Sequence, residues 1–228
     1  MEDVVGLEGA RERVVAALRD AQIVVLPTDT VYAVVADAFQ ARATQRMFEV
    51  KQRGRAVPLG VVIRSPRQVN GLVADVPECA ERLMASYWPG PLTLVFNSSE
   101  SLSWDLGNTL GTIALRLPTD DLVLDVCAEI GPLACTAARV HGGSMPYTVG
   151  EAQRQLGDQV AVYVDGGRCD GPVSTIVDVT RGRAEVLRSG SIPDGHVEQV
   201  ATGQVGWGQR PTEGGPDGSQ TAEPSEEV

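Results

Sequence analysis

The single lysine of this chain, Lys51, stands in the run Lys51-Gln52-Arg53-Gly54-Arg55. No acid occurs from Lys51 to Ala74, and Arg64 and Arg67 bring that stretch to five positive charges. Cations on a glycine-containing loop can converge on one anion, with arginine gripping oxygens in pairs and lysine acting as a point charge. A solvated helix end, where cations offset the macrodipole, would carry the same residues. All 18 other basic residues are arginine. Lys51 is therefore either a remnant of that bias or a position where the shape of the cation matters.

Other polar groups fall at the ends of apolar runs. Pro27-Thr28-Asp29-Thr30, Gly166-Gly167 and Pro172-Val173-Ser174-Thr175 offer hydroxyls and backbone amides, a common way to hold phosphate or carboxylate and equally the chemistry of ordinary turns. Arg116 and Arg188 sit in or just after the apolar runs Ile113-Ala114-Leu115 and Val186-Leu187. A cation there must reach an anion, a carbonyl or solvent, because an unpaired buried charge is costly. Asp178 could hold a metal or cap a turn. No glycine-rich nucleotide loop of the Walker or Rossmann kind is present. Neither His141 nor His196 lies near a nucleophile elbow.

The elements that must position these groups follow from composition and pattern. The 228 residues suffice for one ordinary domain, and 43% hydrophobic content can build a core without metals or disulfides. The net charge of -11 argues against a protein that coats nucleic acid by bulk electrostatics. From Arg210 onward the net is -4, so the first 209 residues carry -7, and a local basic site remains compatible. Cys79, Cys127, Cys135 and Cys169 form no Cys-x-x-Cys pair, which disfavours structural zinc or a disulfide framework. The N-terminus is charged rather than signal-like, and no apolar run approaches the ~18 residues of a membrane span. The expectation is a cytoplasmic protein without a membrane segment.

Ala10, Val14, Ala17 and Leu18 recur at helical spacing, and Ile23–Leu26 reads as a buried strand. Helices are expected over 41–51 and 77–87, the second broken by Trp88-Pro89-Gly90-Pro91. Thr119 is the expected N-cap of a helix to Ile130. Strands are expected at 59–63, 92–96, 112–117, 132–136, 160–164, 174–179 and 184–187, with a polar loop over 97–111. Alternating strands and helices favour an α/β domain, and the close spacing of the last strands favours a mixed sheet. The expected boundaries are a domain over 1–207 and an acidic, disordered tail over 208–228.

Taken in order, several of these segments resemble the YrdC-like threonylcarbamoyl-AMP synthases. They are Pro27-Thr28-Asp29-Thr30-Val31-Tyr32, Lys51-Gln52-Arg53 with Pro58-Leu59, and Trp88-Pro89-Gly90-Pro91-Leu92-Thr93. Thr112 to Pro118, Ser174-Thr175-Ile176-Val177-Asp178 and Leu187-Arg188-Ser189-Gly190 continue the match. The resemblance implies a single domain with a twisted mixed sheet and flanking helices around a concave basic site. It implies a reaction in which L-threonine, bicarbonate and ATP give threonylcarbamoyl-AMP and pyrophosphate, with Mg²⁺ shared by the phosphates. By the same resemblance Lys51 and Arg53 are catalytic, facing the α-phosphate and the carbamate. Thr28, Thr30, Arg116 and Ser174 would bind threonine, and Lys51, Arg55, Thr112, Arg139 and Arg188 the nucleotide; no protein metal site is implied. The implied partners are a downstream transferase complex that modifies tRNA and a transient tRNA or RNA contact.

The chain departs from the family pattern where a Ser-Ala-Asn segment followed by Ser-Gly is usual. Ala137, Arg139 and His141 replace the two serines and the asparagine. A lost hydrogen bond to a charged group costs ~1.5–3 kcal/mol, so nucleotide binding would weaken unless Arg139 grips phosphate. Ala33 and Val35 stand at glycine positions and Val57 at a polar one, which adds bulk near the ligand. Two alternatives therefore accompany the synthase reading: a nucleotide- or RNA-binding paralogue without turnover, and a synthase with another acceptor.

Overall fold

The computed structural model describes residues 4–212. The strands are β1 (Val4–Gly6), β2 (Val24–Leu26), β3 (Ala33–Asp37), β4 (Gly60–Val62), β5 (Leu92–Asn97), β6 (Thr112–Arg116), β7 (Leu133–Ala137), β8 (Val162–Asp165), β9 (Thr175–Asp178) and β10 (Glu185–Arg188). The helices are α1 (Ala10–Arg19), α2 (Ala41–Val50), α3 (Val69–Leu72), α4 (Glu78–Tyr87), α5 (Asp121–Ile130), α6 (Val149–Leu156) and α7 (Asp194–Ala201). The strands form one mixed sheet in the order β1-β8-β2-β3-β7-β4-β6-β5-β9-β10. The expected α/β class and mixed sheet are what the structure has.

Strand pairing fixes which side chains share a face. Val35 pairs with Cys135 and Cys135 with Gly60. Val62 pairs with Arg116, Arg116 with Thr93, and Thr93 with Ile176. Because side chains alternate along a strand, these residues all lie on one face of the sheet. Over β8, β2, β3 and β7 that face is covered by α1 and α5, whose Val14, Leu18, Val123 and Val126 pack on Val24, Leu26, Val35 and Leu133. α5 also reaches Val62 of β4, and from Gly60 of β4 across β6, β5 and β9 the face is open. The opposite face is covered along its length by α2, α4, α6 and α7, burying Met47, Leu83, Leu156 and Val197 against Val34, Leu94 and Leu115.

Several local expectations are corrected. The N-cap of α5 is Asp120, not Thr119; its carboxylate accepts the Val123 amide at 3.0 Å. The strand β3 lies in the run Val31 to Ala38, which the turn before it obscured. The edge strand β1 and the helices α6 and α7 were also unanticipated, although α6 opens on a full capping box of Thr148 and Glu151. Of the expected tail, residues 213–228 lie outside the described residues. Before them, Arg210 donates to the Ser86 carbonyl at 2.7 Å and sits 5.3 Å over the Tyr87 ring, supplying a cation and a donor to the end of α4.

Candidate functional site

The open part of the sheet face forms the floor of a cleft of about 230 Å³. Gly60 and Ala114 keep that floor low, and Thr93, Ile176, Cys135 and Ala137 extend it. Three loops carry groups over it. The segment after β2 brings Thr28 and Thr30, the segment after α2 brings Arg53, and the entry to β9 brings Ser174. Arg116 and Arg188 rise from the ends of β6 and β10.

Each polar group is held before any ligand arrives. Thr28 donates its hydroxyl to the Val31 carbonyl at 2.7 Å and accepts the amides of Thr30 and Val31, locking the turn. Arg116 donates to Thr30 Oγ1 at 3.0 Å, to the Gly90 carbonyl at 3.1 Å and to Asp29 Oδ1 at 2.6 Å. Gly90 can present that carbonyl because it is glycine. Its φ is +155°, and a Cβ there would lie 2.6 Å from the Tyr87 carbonyl oxygen. Arg53 donates to the carbonyls of Val57 and Pro58 at 2.8 and 2.7 Å and to Thr136 Oγ1 at 3.1 Å. Arg188 donates to the Ser174 carbonyl at 2.7 Å and to its hydroxyl at 3.0 Å, and that hydroxyl lies 2.9 Å from Thr93 Oγ1.

Lys51 stands behind this wall rather than in it. It is 3% exposed, and its ammonium donates to the carbonyls of Ala137 and Arg139 at 2.5 and 2.6 Å. Burial, then the charges of Arg53 and Arg139, lower its pKa to about 7. Burial likewise lowers the Arg53 and Arg188 values, helped by Arg139 at the first and by Arg116 and Arg139 at the second. The site is a place where positive charge has been desolvated and crowded, which favours any anion that can enter. Burial pushes the Cys135 thiol up to about 11, which leaves it a neutral part of the floor.

Of the residues singled out in the sequence, Thr28, Thr30, Arg53, Arg116, Ser174 and Arg188 line one cleft. Lys51 braces it from behind. Arg55 does not line it; its guanidinium pairs with Asp105 and lies 5.0 Å over the Phe48 ring. Thr112 shares the face but sits at the far end of β6, its hydroxyl donated to the Thr109 carbonyl at 2.7 Å. The Arg139 guanidinium turns to the Gly143 carbonyl, and His141 is exposed. Val35 is buried beneath the helices and adds no bulk to the cleft, whereas Ala33 does line it. Asp178 accepts the Thr180 amide at 2.8 Å, a turn cap. Arg64 and Arg67 are exposed, so the acid-free segment does not converge as a whole.

The sequence reading overlooked Thr93 and Met145, which line the cleft, and Asp29, which pairs with Arg116. Asp29 lies between the two threonines that were noticed, and Thr93 follows from the alternation of β5. No pattern marks Met145.

Residues 16–190 match the Sua5/YciO/YrdC family model, described as "Telomere recombination". The chain belongs to the Sua5/YciO/YrdC family. A Mycobacterium tuberculosis protein of that kind, named "Putative threonylcarbamoyl-AMP synthase", is 41% identical over 187 residues, 82% of this chain and 86% of its own. The Pyrococcus abyssi threonylcarbamoyl-AMP synthase is 33% identical over 80% of this chain and 54% of its own length. The structure of P. abyssi Sua5 complexed with L-threonine superposes with a TM-score of 0.82 at 30% identity, covering 86% of this chain and 60% of that one. Escherichia coli YciO shares the fold, with a TM-score of 0.76 at 21% identity over 86% of this chain and 98% of its own. Among the described residues of this Sua5/YciO/YrdC domain, no helix is long and apolar enough to cross a membrane. No cluster of three or more acidic, histidine or cysteine side chains that could hold a metal ion occurs among them either.

Proposed function

We propose that this protein is an L-threonylcarbamoyladenylate synthase. The carrying observation is the convergence of Arg53, Arg116 and Arg188 with the hydroxyls of Thr28, Thr30 and Ser174 in one cleft of a Sua5/YciO/YrdC domain. Threonine carboxylate, bicarbonate and triphosphate are all anions and repel one another in water. Fixed cations in a partly desolvated cleft bring them together, so positioning and electrostatic stabilisation supply most of the rate.

In this reading Arg116 takes the threonine carboxylate. The threonine amine attacks the carbon of bicarbonate, water leaves, and an N-carboxylate forms. Its oxygen displaces pyrophosphate from the α-phosphorus of ATP, giving threonylcarbamoyl-AMP. Arg53 and Arg188 hold the phosphates, and Mg²⁺ arrives with the triphosphate as part of the substrate. Lys51 supports the carbonyls of Ala137 and Arg139 and adds its charge from behind. Residues 1–207 would form the catalytic domain. A cytoplasmic setting, a downstream tRNA-modifying transferase complex and contact with tRNA belong to the same proposal.

The test is pyrophosphate release from ATP with L-threonine and bicarbonate, omitting each substrate in turn, in wild type and Arg116→Ala. Release that needs all three and collapses in the variant supports the reading. Release without threonine, or none from folded protein that binds ATP, overturns it in favour of another acceptor or a protein without turnover.

A further inference from the structure

Lys51 is a buried basic group with no carboxylate partner among the described residues. It follows α2 and donates its Nζ to the carbonyls of Ala137 and Arg139 at 2.5 and 2.6 Å. Its own carbonyl accepts the His141 amide at 2.8 Å, so the segment after β7 holds it by side chain and backbone together. These bonds fix its place without fixing its charge. A neutral amine has two N–H groups, enough for both carbonyls, and an ammonium has three.

The charge is set by what surrounds it. Arg53 of the same loop, Arg139 beyond β7 and Cys135 of β7 are the charged and titratable groups that act on it. Two are cations, and the third is a thiol that burial keeps neutral. Arg53 bonds two carbonyls and a hydroxyl, and Arg139 a carbonyl, so no acid offsets either of them among the described residues. A buried ammonium without an opposite charge is costly. Burial first, then Arg53 and Arg139, bring the pKa to about 7, so at pH 8 roughly nine-tenths of the molecules hold a neutral Lys51. The missing negative charge can come from the cleft. Arg53 and Ala137 both line it, and the Ala137 carbonyl receives the Nζ, so the backbone of that one residue stands between Lys51 and a bound anion.

We propose that Lys51 is a proton-binding group coupled to the cleft, which takes up a proton when a polyphosphate enters beside Arg53 and acts on it through the wall, not by contact. The proposal rests on the synthase reading only in expecting that polyphosphate to be ATP. The positive charge of the wall then becomes complete when there is an anion to hold, and the free protein is spared a buried, unpaired cation. Coupling is reciprocal: an anion that raises the proton affinity of Lys51 is itself bound more tightly by the protonated form. Affinity for ATP should therefore fall as pH rises from about 7 towards the proton affinity of the bound state, by up to about tenfold per pH unit.

Because Lys51 is the single lysine of the chain, it can be watched directly. Full-length protein made with lysine carrying carbon-13 at Cε gives one side-chain resonance, titrated alone, with saturating ATP and with inorganic tripolyphosphate. The midpoint should lie near 7 in the free protein and rise by about 1.5 pH units or more with either anion. Calorimetry at pH 8 in buffers of different ionisation enthalpy should show uptake of about 0.6 of a proton or more per ATP, an uptake lost in Lys51→Met. If that variant does not fold, the resonance of the wild type decides alone. A free-protein midpoint near the ordinary lysine value overturns the proposal. So does a midpoint that bound ATP leaves unmoved, and in that case the synthase reading stands. If tripolyphosphate binds and moves the midpoint while ATP does not bind, the coupling stands and the synthase reading falls. If neither anion binds, both fall.

Discussion

One face of this sheet is used in two ways, and the residues differ accordingly. Under α1 and α5 the side chains are Val24, Leu26, Val35, Leu133, Val162 and Val164, branched and fully packed. At Gly60 of β4 and across β6, β5 and β9 the same face carries Ala114, Thr93 and Arg116, small or polar, beside the apolar Ile176, and these residues line the cleft. The first region stabilises by removing apolar surface from water. The second gives up that stabilisation to leave a cleft, and its arginines are held by carbonyls and hydroxyls in place of a packed layer. Stability and chemistry therefore occupy different stretches of the same sheet. Substitutions on the two sides should separate cleanly.

The largest expected effect belongs to the open region. Arg53→Ala removes a guanidinium fixed by Val57, Pro58 and Thr136 and should lower pyrophosphate release roughly 10²- to 10³-fold. Thermal stability should change less than for a core truncation, because removing a desolvated and crowded cation offsets part of the three hydrogen bonds lost. A large fall in Tm with proportional loss of activity would erase the contrast.

Leu18→Ala is the counterpart under the helices. Leu18 is fully buried between α1 and the sheet, and its truncation should cost about 3 kcal/mol of stability by chemical denaturation. The enzyme that remains folded should keep its KM for threonine. A raised KM at unchanged folded fraction would show that the covered region also sets the cleft.

The fold was largely legible because periodicity and breakers mark the strands and helices that build it. It was less legible where two signals overlapped. The turn residues Pro27 to Thr30 drew the eye from β3, and Thr119 stood beside the real cap, Asp120, with the same chemistry available. The site was legible as a set of cations and hydroxyls, but not as a set of pairs. Which arginine meets a carboxylate depends on loops that cross the sheet, so the Asp29–Arg116 bond between residues 87 apart has no local signature. Nor does sequence reveal that Lys51 lies behind the wall and Thr112 beyond its end. Both stand in matching segments, and only the course of the strands separates them.

Lys51 offers a test that links the two regions, because it is buried like the first and charged like the second. Its folded-state pKa of about 7 lies below the ordinary lysine value of 10.5, so the unfolded chain binds more protons between those limits. Stability contributed by this group must then rise as pH rises from about 7 towards 10. The stability gap between wild type and Lys51→Met should shift in favour of wild type through that window, by on the order of 1–2 kcal/mol after relaxation and water entry. Denaturant titrations at spaced pH values measure it. A gap that is flat with pH would show that the ammonium keeps its ordinary affinity for protons.

The smallest effect is expected at Arg139, and it bears on the segment that departs most from the family pattern. Its guanidinium is turned to the Gly143 carbonyl, outside the residues that line the cleft, while its own carbonyl receives the Lys51 ammonium. The backbone of this position therefore serves the site and the side chain does not. Arg139→Ala keeps the carbonyl and should leave KM for ATP within about twofold, because the side chain lost is half-buried and lines no part of the cleft. The charge it removes also depresses the Lys51 and Arg53 values, so the proton affinity of both should rise slightly. An increase in KM for ATP of tenfold or more, about 1.4 kcal/mol, would mean that Arg139 swings into the cleft to hold phosphate. The lost family hydroxyls and amide would then have been replaced by a cation, and the open region would extend beyond the strands that now define it.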